Sequence, residues 1–296
     1  MELVVEHVSK YYGEFLAVND ISFTVKPGSV LGIIGRNGAG KTTLLKMIMR
    51  ILTPDIGEVR LDNKKEGNVG YLPEERGLYL NMRVDEQLYF IAELNGMTRQ
   101  ESEKQLDYYL EALGISEYKR VKLNTLSKGN QQKVQLISAL IHNPKLIILD
   151  EPFSGLDPVN ANQFRELIIN ERKMGKIILM STHRLEDIET LCQEILFIKN
   201  GNILLTGRTE DIIDRYGVTN RILIETDKNI DTILNNLKII FKKEGEKKYI
   251  IEKNAITDKV KFFEVLHLNG IELKKFQILY LTLNDIFIKE FKHENA

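Results

Sequence analysis

The sequence predicts an α/β fold with a mainly parallel sheet and a helical insertion, followed by a small α+β domain. Three observations predict it. The apolar runs "VLGIIG" (30–35), "KLIILDEP" (145–152) and "KIILMST" (176–182) lack polar alternation, as strands buried on both faces do. Stretches with helical spacing separate them, which is the pattern of parallel sheets. The composition then shifts around Gly217, beyond which lysine and isoleucine become more frequent.

Element by element, "LVVEHV" (3–8) and "ISFTV" (21–25) are rich in β-branched and aromatic residues and read as strands, with "KPG" (26–28) as a turn. "VLGIIG" is a short buried strand. "TTLLKMIMRIL" (42–52) is apolar all round, as a buried helix is, and "TPDIG" (53–57) ends it. From about Leu78 to Asn143 the spacing is helical. Helices are expected over 84–96 and 99–114, each stopped by a glycine, and over 128–144, closed by Asn-Pro. A strand in 145–152, a helix over 158–174, a strand over 176–182, a helix over 184–192, a hairpin-like 194–207 and a short helix complete a first domain, residues 1–217. The remaining 218–296 read as strand (221–226), helix (230–243), strand (248–253), helix (257–268), strand (271–278) and helix (282–291).

The 296 residues suffice for one large domain and a smaller one, and 43% hydrophobic with 28% charged residues is globular composition. A formal net charge of -1 supplies no bulk attraction to nucleic acid or an anionic membrane. The lysines of 238–253 are interleaved with acids and read as a solvated face. One cysteine, Cys192, excludes an internal disulfide or a multi-cysteine metal site. "MELVVEHVSK" lacks the n- and h-regions of a signal peptide. The apolar runs fall short of the about 18 residues a membrane span needs. The expectation is a soluble, cytoplasmic chain without direct membrane insertion, brought to any membrane by another chain.

"GRNGAGKTT" (35–43) matches G-x-x-x-x-G-K-[ST], between an expected strand and an expected helix. Gly35, Gly38 and Gly40 are expected to adopt positive φ and turn the backbone amides inward. Those amides and the helix N-terminus form a concave cradle for phosphate oxygens, lined by Arg36, Asn37, Ala39 and Thr43 as well. Lys41 reaches the β- and γ-phosphates, and the Thr42 hydroxyl can coordinate Mg2+. The second constellation is "LIILDEP", an apolar strand ending in Asp150 and Glu151. Paired with such a loop, the first acid suits Mg2+ and the second suits a general base that polarises water.

The third is "LSKGNQQ" (126–132). As a bare string Ser-x-Gly is an ordinary helix N-cap. L-S-x-G-x-Q about two dozen residues before "LIILDEP" resembles the signature of ABC-type ATPases. "SGLD" (154–157) resembles their D-loop, placing Asp157 near a dimer interface. "STHR" (181–184) resembles the switch-histidine motif, making His183 a γ-phosphate contact that positions Glu151. "KYYG" (10–13) resembles the aromatic A-loop, with Tyr12, which directly precedes the glycine, as the residue expected to stack on adenine and Tyr11 as the alternative.

One departure matters. The family usually carries a glutamine in the loop after Y-L-P, whereas "VGYLPEERGLY" (69–79) offers Glu74, a carboxylate that still suits Mg2+ but adds negative charge near phosphates. "YLPEERGLY" itself, and the C-terminal "LTLNDIFIKEF", resemble the exporter subgroup that includes sodium-efflux and related ABC-2-type systems.

The resemblance implies a P-loop NTPase fold of the ABC-ATPase type. It has a parallel-sheet core, an N-terminal antiparallel β part and a helical subdomain at about 78–143, with a small accessory domain at 218–296. It implies ATP and Mg2+ as ligands, and Thr42, Asp150 and Glu74 at the metal. It further implies a head-to-tail homodimer in which Ser127, Gly129 and Gln131 complete the opposite subunit's site. The partners are then that second subunit and a separate transmembrane permease, with no nucleic acid, and the location is peripheral at the inner face of the membrane. The rival readings are a soluble ABC ATPase of translation or DNA repair, and a nucleotide-gated module. Translation factors of this kind carry two motif sets and repair proteins a long coiled coil, and this chain has neither.

Overall fold

The computed structural model describes residues 2–61, 69–75, 77–252, 256 and 259–292. The chain divides into two compact units, Met1–Thr209 and Glu210–Ala296.

In the first unit, β1 (Leu3–Tyr12), β2 (Phe15–Val25) and β4 (Ile56–Leu61) form an antiparallel sheet in the order β2-β1-β4. A second sheet has the order β5-β6-β7-β3-β8-β9. Its strands are β5 (Val69–Leu72), β6 (Leu146–Asp150), β7 (Ile177–Ser181), β3 (Val30–Ile34), β8 (Glu194–Lys199) and β9 (Asn202–Arg208). The first five run parallel, and β9 folds back antiparallel on β8. β3, β6 and β7 are buried at every position, which is why their sequences show no alternation. One hydrophobic cluster joins both sheets to α1 (Lys41–Ile48), with Val5, Ile21, Ile33, Leu44, Leu45, Ile148 and Leu179 all essentially inaccessible. Each such side chain contributes about 1.5–3 kcal/mol of burial.

Helices α2 (Val84–Leu94), α3 (Arg99–Ala112) and α4 (Lys128–Leu140) form the expected helical insertion, with two 3-10 turns at Ser116–Tyr118 and Leu123–Thr125. Thr98 and Glu101 form the capping box that starts α3. α5 (Pro158–Lys173) starts at a Pro in its first turn behind the N-cap Asp157, and α6 (Leu185–Leu191) follows β7.

In the second unit, α7 (Thr209–Tyr216), whose first residue is the last of the first unit, is followed by β10 (Val218–Thr226), α8 (Asp231–Asn236), β11 (Phe241–Gly245), β12 (Lys248–Glu252), α9 (Lys259–Leu268), β13 (Leu273–Tyr280) and α10 (Leu283–Lys292). The antiparallel order β11-β12-β10-β13 makes β10 to β13 a β-α-β-β-α-β ferredoxin-like unit. Its core packs Ile222, Ile224, Leu234, Tyr249, Ile251, Phe262 and Leu266.

Four expectations need correction. The helix expected over 230–243 ends at Asn236, and β11 occupies 241–245. Lys238 takes φ 55°, its N–H donates to Asn235 O, and Ile239 N–H donates to Leu234 O. That is a Schellman cap closed by a lysine instead of a glycine. The helix expected over 42–52 runs from Lys41 to Ile48 for the same reason. Arg50 sits at φ 60°, its N–H donates to Met47 O, and Ile51 N–H donates to Lys46 O. The sequence does not predict strands β4 and β5: β4 is largely exposed, and β5 is only four residues long. Gly35 does not adopt positive φ. The expected end of the 248–253 strand and start of the 257–268 helix lie outside the described residues.

Candidate functional site: a phosphate-loop cleft

The strand order assembles the site. β5, β6, β7 and β3 are neighbours, and all four present their C-terminal ends to the same side. From those ends come, in spatial order, Glu74, then Asp150 and Glu151, then His183, then the glycine loop. Ligands of open parallel sheets bind beyond such carboxyl ends. The resulting cleft, about 420 Å³, is lined by Tyr12, Phe15, Ala17, residues 37–43, Glu74, Asp150, Glu151 and His183.

The loop needs its glycines for two different reasons. Gly38 and Gly40 have φ 80° and 104°, so they do supply the left-handed backbone. Gly35 is required by close approach, since a Cβ there would lie 2.5 Å from Ile198 O. Gly40 meets both demands, with Ala17 O only 2.4 Å from a Cβ. It is also the N-cap of α1, which has no side-chain cap, so the helix's first amides remain directed at the cleft. Lys41 Nζ donates to Gly35 O at 2.7 Å and Arg36 O at 3.1 Å. Burial lowers its pKa, against the opposing pull of Glu151, Asp150 and Glu74.

Asp150 is buried and accepts from the hydroxyl of Ser181, its register partner on β7. Glu151 holds a left-handed φ of 50°, a conformation costly for a residue with a Cβ and concentrated at functional sites. Its N–H donates to Ser181 O at 2.9 Å, and Thr182 Oγ1 donates to its Oε2 at 3.2 Å. His183 Nε2 stands 3.4 Å from Oε1, which has no hydrogen-bond partner although it is buried. Burial raises the Glu151 pKa, while the neighbouring His183 opposes the rise. Among the described residues no three His, Cys, Asp or Glu side chains form a ready metal cage. The Thr42 hydroxyl and the Asp150 and Glu74 carboxylates share the cleft, however, and such hard oxygens suit Mg2+ bound jointly with phosphates.

The remaining expected residues are placed elsewhere. Arg36 and Gly35 belong to the loop but do not line the cleft, and neither does Tyr11, whose N–H donates to Asp55. Ser127 is the N-cap of α4, accepting from Asn130 N–H at 3.2 Å. Gln131 Nε2 donates back to Leu123 O at 2.9 Å. Gly129 faces Asn160, whose amide also contacts Asp157, the N-cap of α5. These four do not line the cleft. The sequence reading missed Phe15, Ser181 and Thr182. Phe15 pairs with Tyr12 across the β1–β2 hairpin, so both aromatics reach the cleft rim. The two hydroxyls stand in "STHR", yet only the β6–β7 register shows that they meet the acids.

A glycine-loop cradle on a helix N-terminus, facing an acid pair at the end of a parallel strand, defines a P-loop nucleotide-binding ATPase. Residues 18–154 match the sequence model of the family described as ABC transporter. An uncharacterized ABC transporter ATP-binding protein of Methanocaldococcus jannaschii is 43% identical, over 98% of this chain and 99% of that protein. An uncharacterized ABC transporter ATP-binding protein of Bacillus subtilis, YhaQ, is 37% identical over 97% and 98% of the two chains. A solved structure described as the ATP-binding subunit of an ABC transporter superposes with TM-score 0.69 and 29% identity, covering 73% of this chain and 93% of that one. The chain belongs to the ATP-binding proteins of ABC transporters, whose characteristic activity is ATP hydrolysis.

Proposed function

We propose that this chain is the ATP-hydrolysing subunit of an ABC exporter, acting as a head-to-tail homodimer beneath a separate permease. The observation that carries the reading is a division of labour. The cleft gathers Tyr12, the 37–43 loop, Glu74, Asp150, Glu151 and His183, and leaves Ser127, Gly129 and Asp157 at helix N-termini outside it. A helix N-terminus favours an anion, so a second copy can bring Ser127 and Gly129 to the γ-phosphate. Gln131 is occupied with Leu123, which suits it to holding the turn before α4.

Within the cleft, adenine stacks on Tyr12 with Phe15 beside it, and the loop amides and Lys41 hold the phosphates. Thr42, Asp150 and Glu74 would hold the Mg2+, which when bound offsets phosphate charge. Glu151 accepts a proton from water as the oxygen attacks the γ-phosphorus. The bond to the β-phosphate oxygen breaks, and ADP and phosphate leave. His183, whose Nε2 stands 3.4 Å from Glu151 Oε1, orients the carboxylate for that step.

No described helix is long and apolar enough to cross a membrane, which fits a separate permease chain. Tyr79, Leu80, Phe90 and Leu94 are exposed on and before α2, a surface suited to gripping one. Export follows from the resemblance of "YLPEERGLY" to the ABC-2 subgroup, and peripheral membrane location from the permease.

Glu151→Gln tests the reading. Turnover should fall by about 10²–10⁴ while ATP binding persists. Light scattering with ATP should then show a dimer. A variant that hydrolyses at the parent rate, or that stays monomeric with ATP bound, refutes it.

A further inference from the structure

Helix α4, with Ser127 as its N-cap, packs against β5, and one of its side chains is bonded to the loop that carries Glu74. Gln135 is buried. Its amide Nε2 donates to two carbonyls, Pro73 O and Glu75 O, each at 3.1 Å. Those carbonyls flank Glu74, so one side chain pins the backbone on both sides of the carboxylate. Meanwhile Gln135 Oε1 is buried without a partner. A buried amide with its oxygen left unpaired is disfavoured relative to an apolar side chain of similar shape. Core packing alone does not account for a glutamine here.

The end of α4 lies directly on β5. Just beyond the helix, His142 Nε2 lies 3.2 Å from Val69 O. A Cβ on Gly70 would lie 2.0 Å from Ala139 O, so strand and helix backbones are in direct contact. One turn before Gln135, Gln132 Nε2 reaches Pro152 O, next to Glu151, at 3.5 Å.

We propose that Gln135 is a positioning residue for the reaction: it clamps the 73–75 loop to α4, sets Glu74 in the cleft, and ties that carboxylate to the helix whose N-terminus is Ser127. The proposal rests on the ATPase reading above and adds a residue that the motifs do not contain. A shift of α4 when its N-terminus meets a neighbouring nucleotide is then transmitted to Glu74 through two hydrogen bonds.

A double-mutant cycle on the full-length protein tests it, with steady-state ATP turnover measured across a Mg2+ titration. Gln135→Met keeps the volume and removes both donors. It should lower turnover by about tenfold and raise the Mg2+ needed for half-maximal rate. In a Glu74→Ala background the same change should alter turnover by less than about twofold, the additivity error of such cycles. Equal losses in both backgrounds, or unchanged turnover in Gln135→Met, overturn the proposal. Amide exchange gives a readout independent of activity. Exchange in 71–75 should rise while that of β6 and α4 stays at the parent level, whereas faster exchange throughout indicates a merely structural side chain and overturns it. Should Gln135→Met not fold, Gln135→Asn, too short to reach both carbonyls, carries the same expectations. Parent turnover and its loss in Glu151→Gln test the underlying reading separately.

Discussion

Between Met1 and Thr209 the buried side chains include Asp150, Glu171 and Asp187, Lys133 and Lys176, and Gln132 and Gln135; between Glu210 and Ala296 Thr226 is the one buried polar residue among those described. Both units have well-packed apolar cores. The first also maintains networks that must be satisfied internally. Tyr109 donates to Glu171 at 3.1 Å, Lys176 pairs with the same carboxylate, and Arg165 and Arg184 flank Asp187. In the second, charges sit on the surface, as in Lys243–Asp231 and Lys248–Glu225. Buried polar groups cost stability unless paired, and exposed pairs contribute little. The difference teaches that the first unit buries charged groups and pairs them internally, with Asp150 of the cleft among them, whereas the described residues of the second keep their charges at the surface.

The comparison can be broken most forcefully at Ser127. Ser127→Arg places a bulky cation at the α4 N-terminus and should cut turnover by about a hundredfold while ATP binding in the cleft is unchanged. Equilibrium binding measured beside turnover checks this, and parallel loss of both would place Ser127 in its own chain's site. His183→Ala comes next, with about a tenfold loss. It also carries a pH signature. Burial raises the Glu151 pKa above the ordinary 4.5, and His183 pulls it down. A raised carboxyl holds its proton to higher pH, and only the ionised form is a base. The acid limb of the turnover profile should therefore lie above pH 4.5 in the parent and move to still higher pH without His183. A limb that moves down contradicts the assignment. The smallest catalytic effect belongs to the second unit. Tyr249 Oη accepts from Ile230 N–H at 3.0 Å and donates to Glu246 O at 3.3 Å. Tyr249→Phe should destabilise that unit by about 1–2 kcal/mol in denaturant unfolding and change turnover by less than twofold. A large loss of turnover would show that the second unit does more than pack.

Much of this was legible in one dimension. Strands β3, β6 and β7 announce themselves because they are apolar runs without polar alternation, broken only at the last residue of β6 and β7, Asp150 and Ser181, and the phosphate loop and acid pair because their spacing resembles one family's. Helix ends were less legible. At Lys238 and Arg50 the chain turns left-handed without glycine, so nothing local marks the stop, and apolar spacing continues into what becomes β11. The order β5-β6-β7-β3 is a long-range choice among strands of similar composition, yet it brings residues as far apart as Tyr12, Glu74 and His183 to one cleft.

The sequence by itself determined the motifs and the family they resemble: glycines at the loop, a lysine and threonine after them, two carboxylates ending an apolar strand, and a serine and glycine opening a helix. Only the tertiary structure decided that Gly35 serves close approach rather than positive φ, that Ser181 and Thr182 hold the two acids, and that Gln135 grips the loop of Glu74. The physical reason is range. Motif chemistry depends on neighbours along the chain, whereas backbone clashes, register and buried hydrogen bonds depend on segments that meet only when the sheet is assembled.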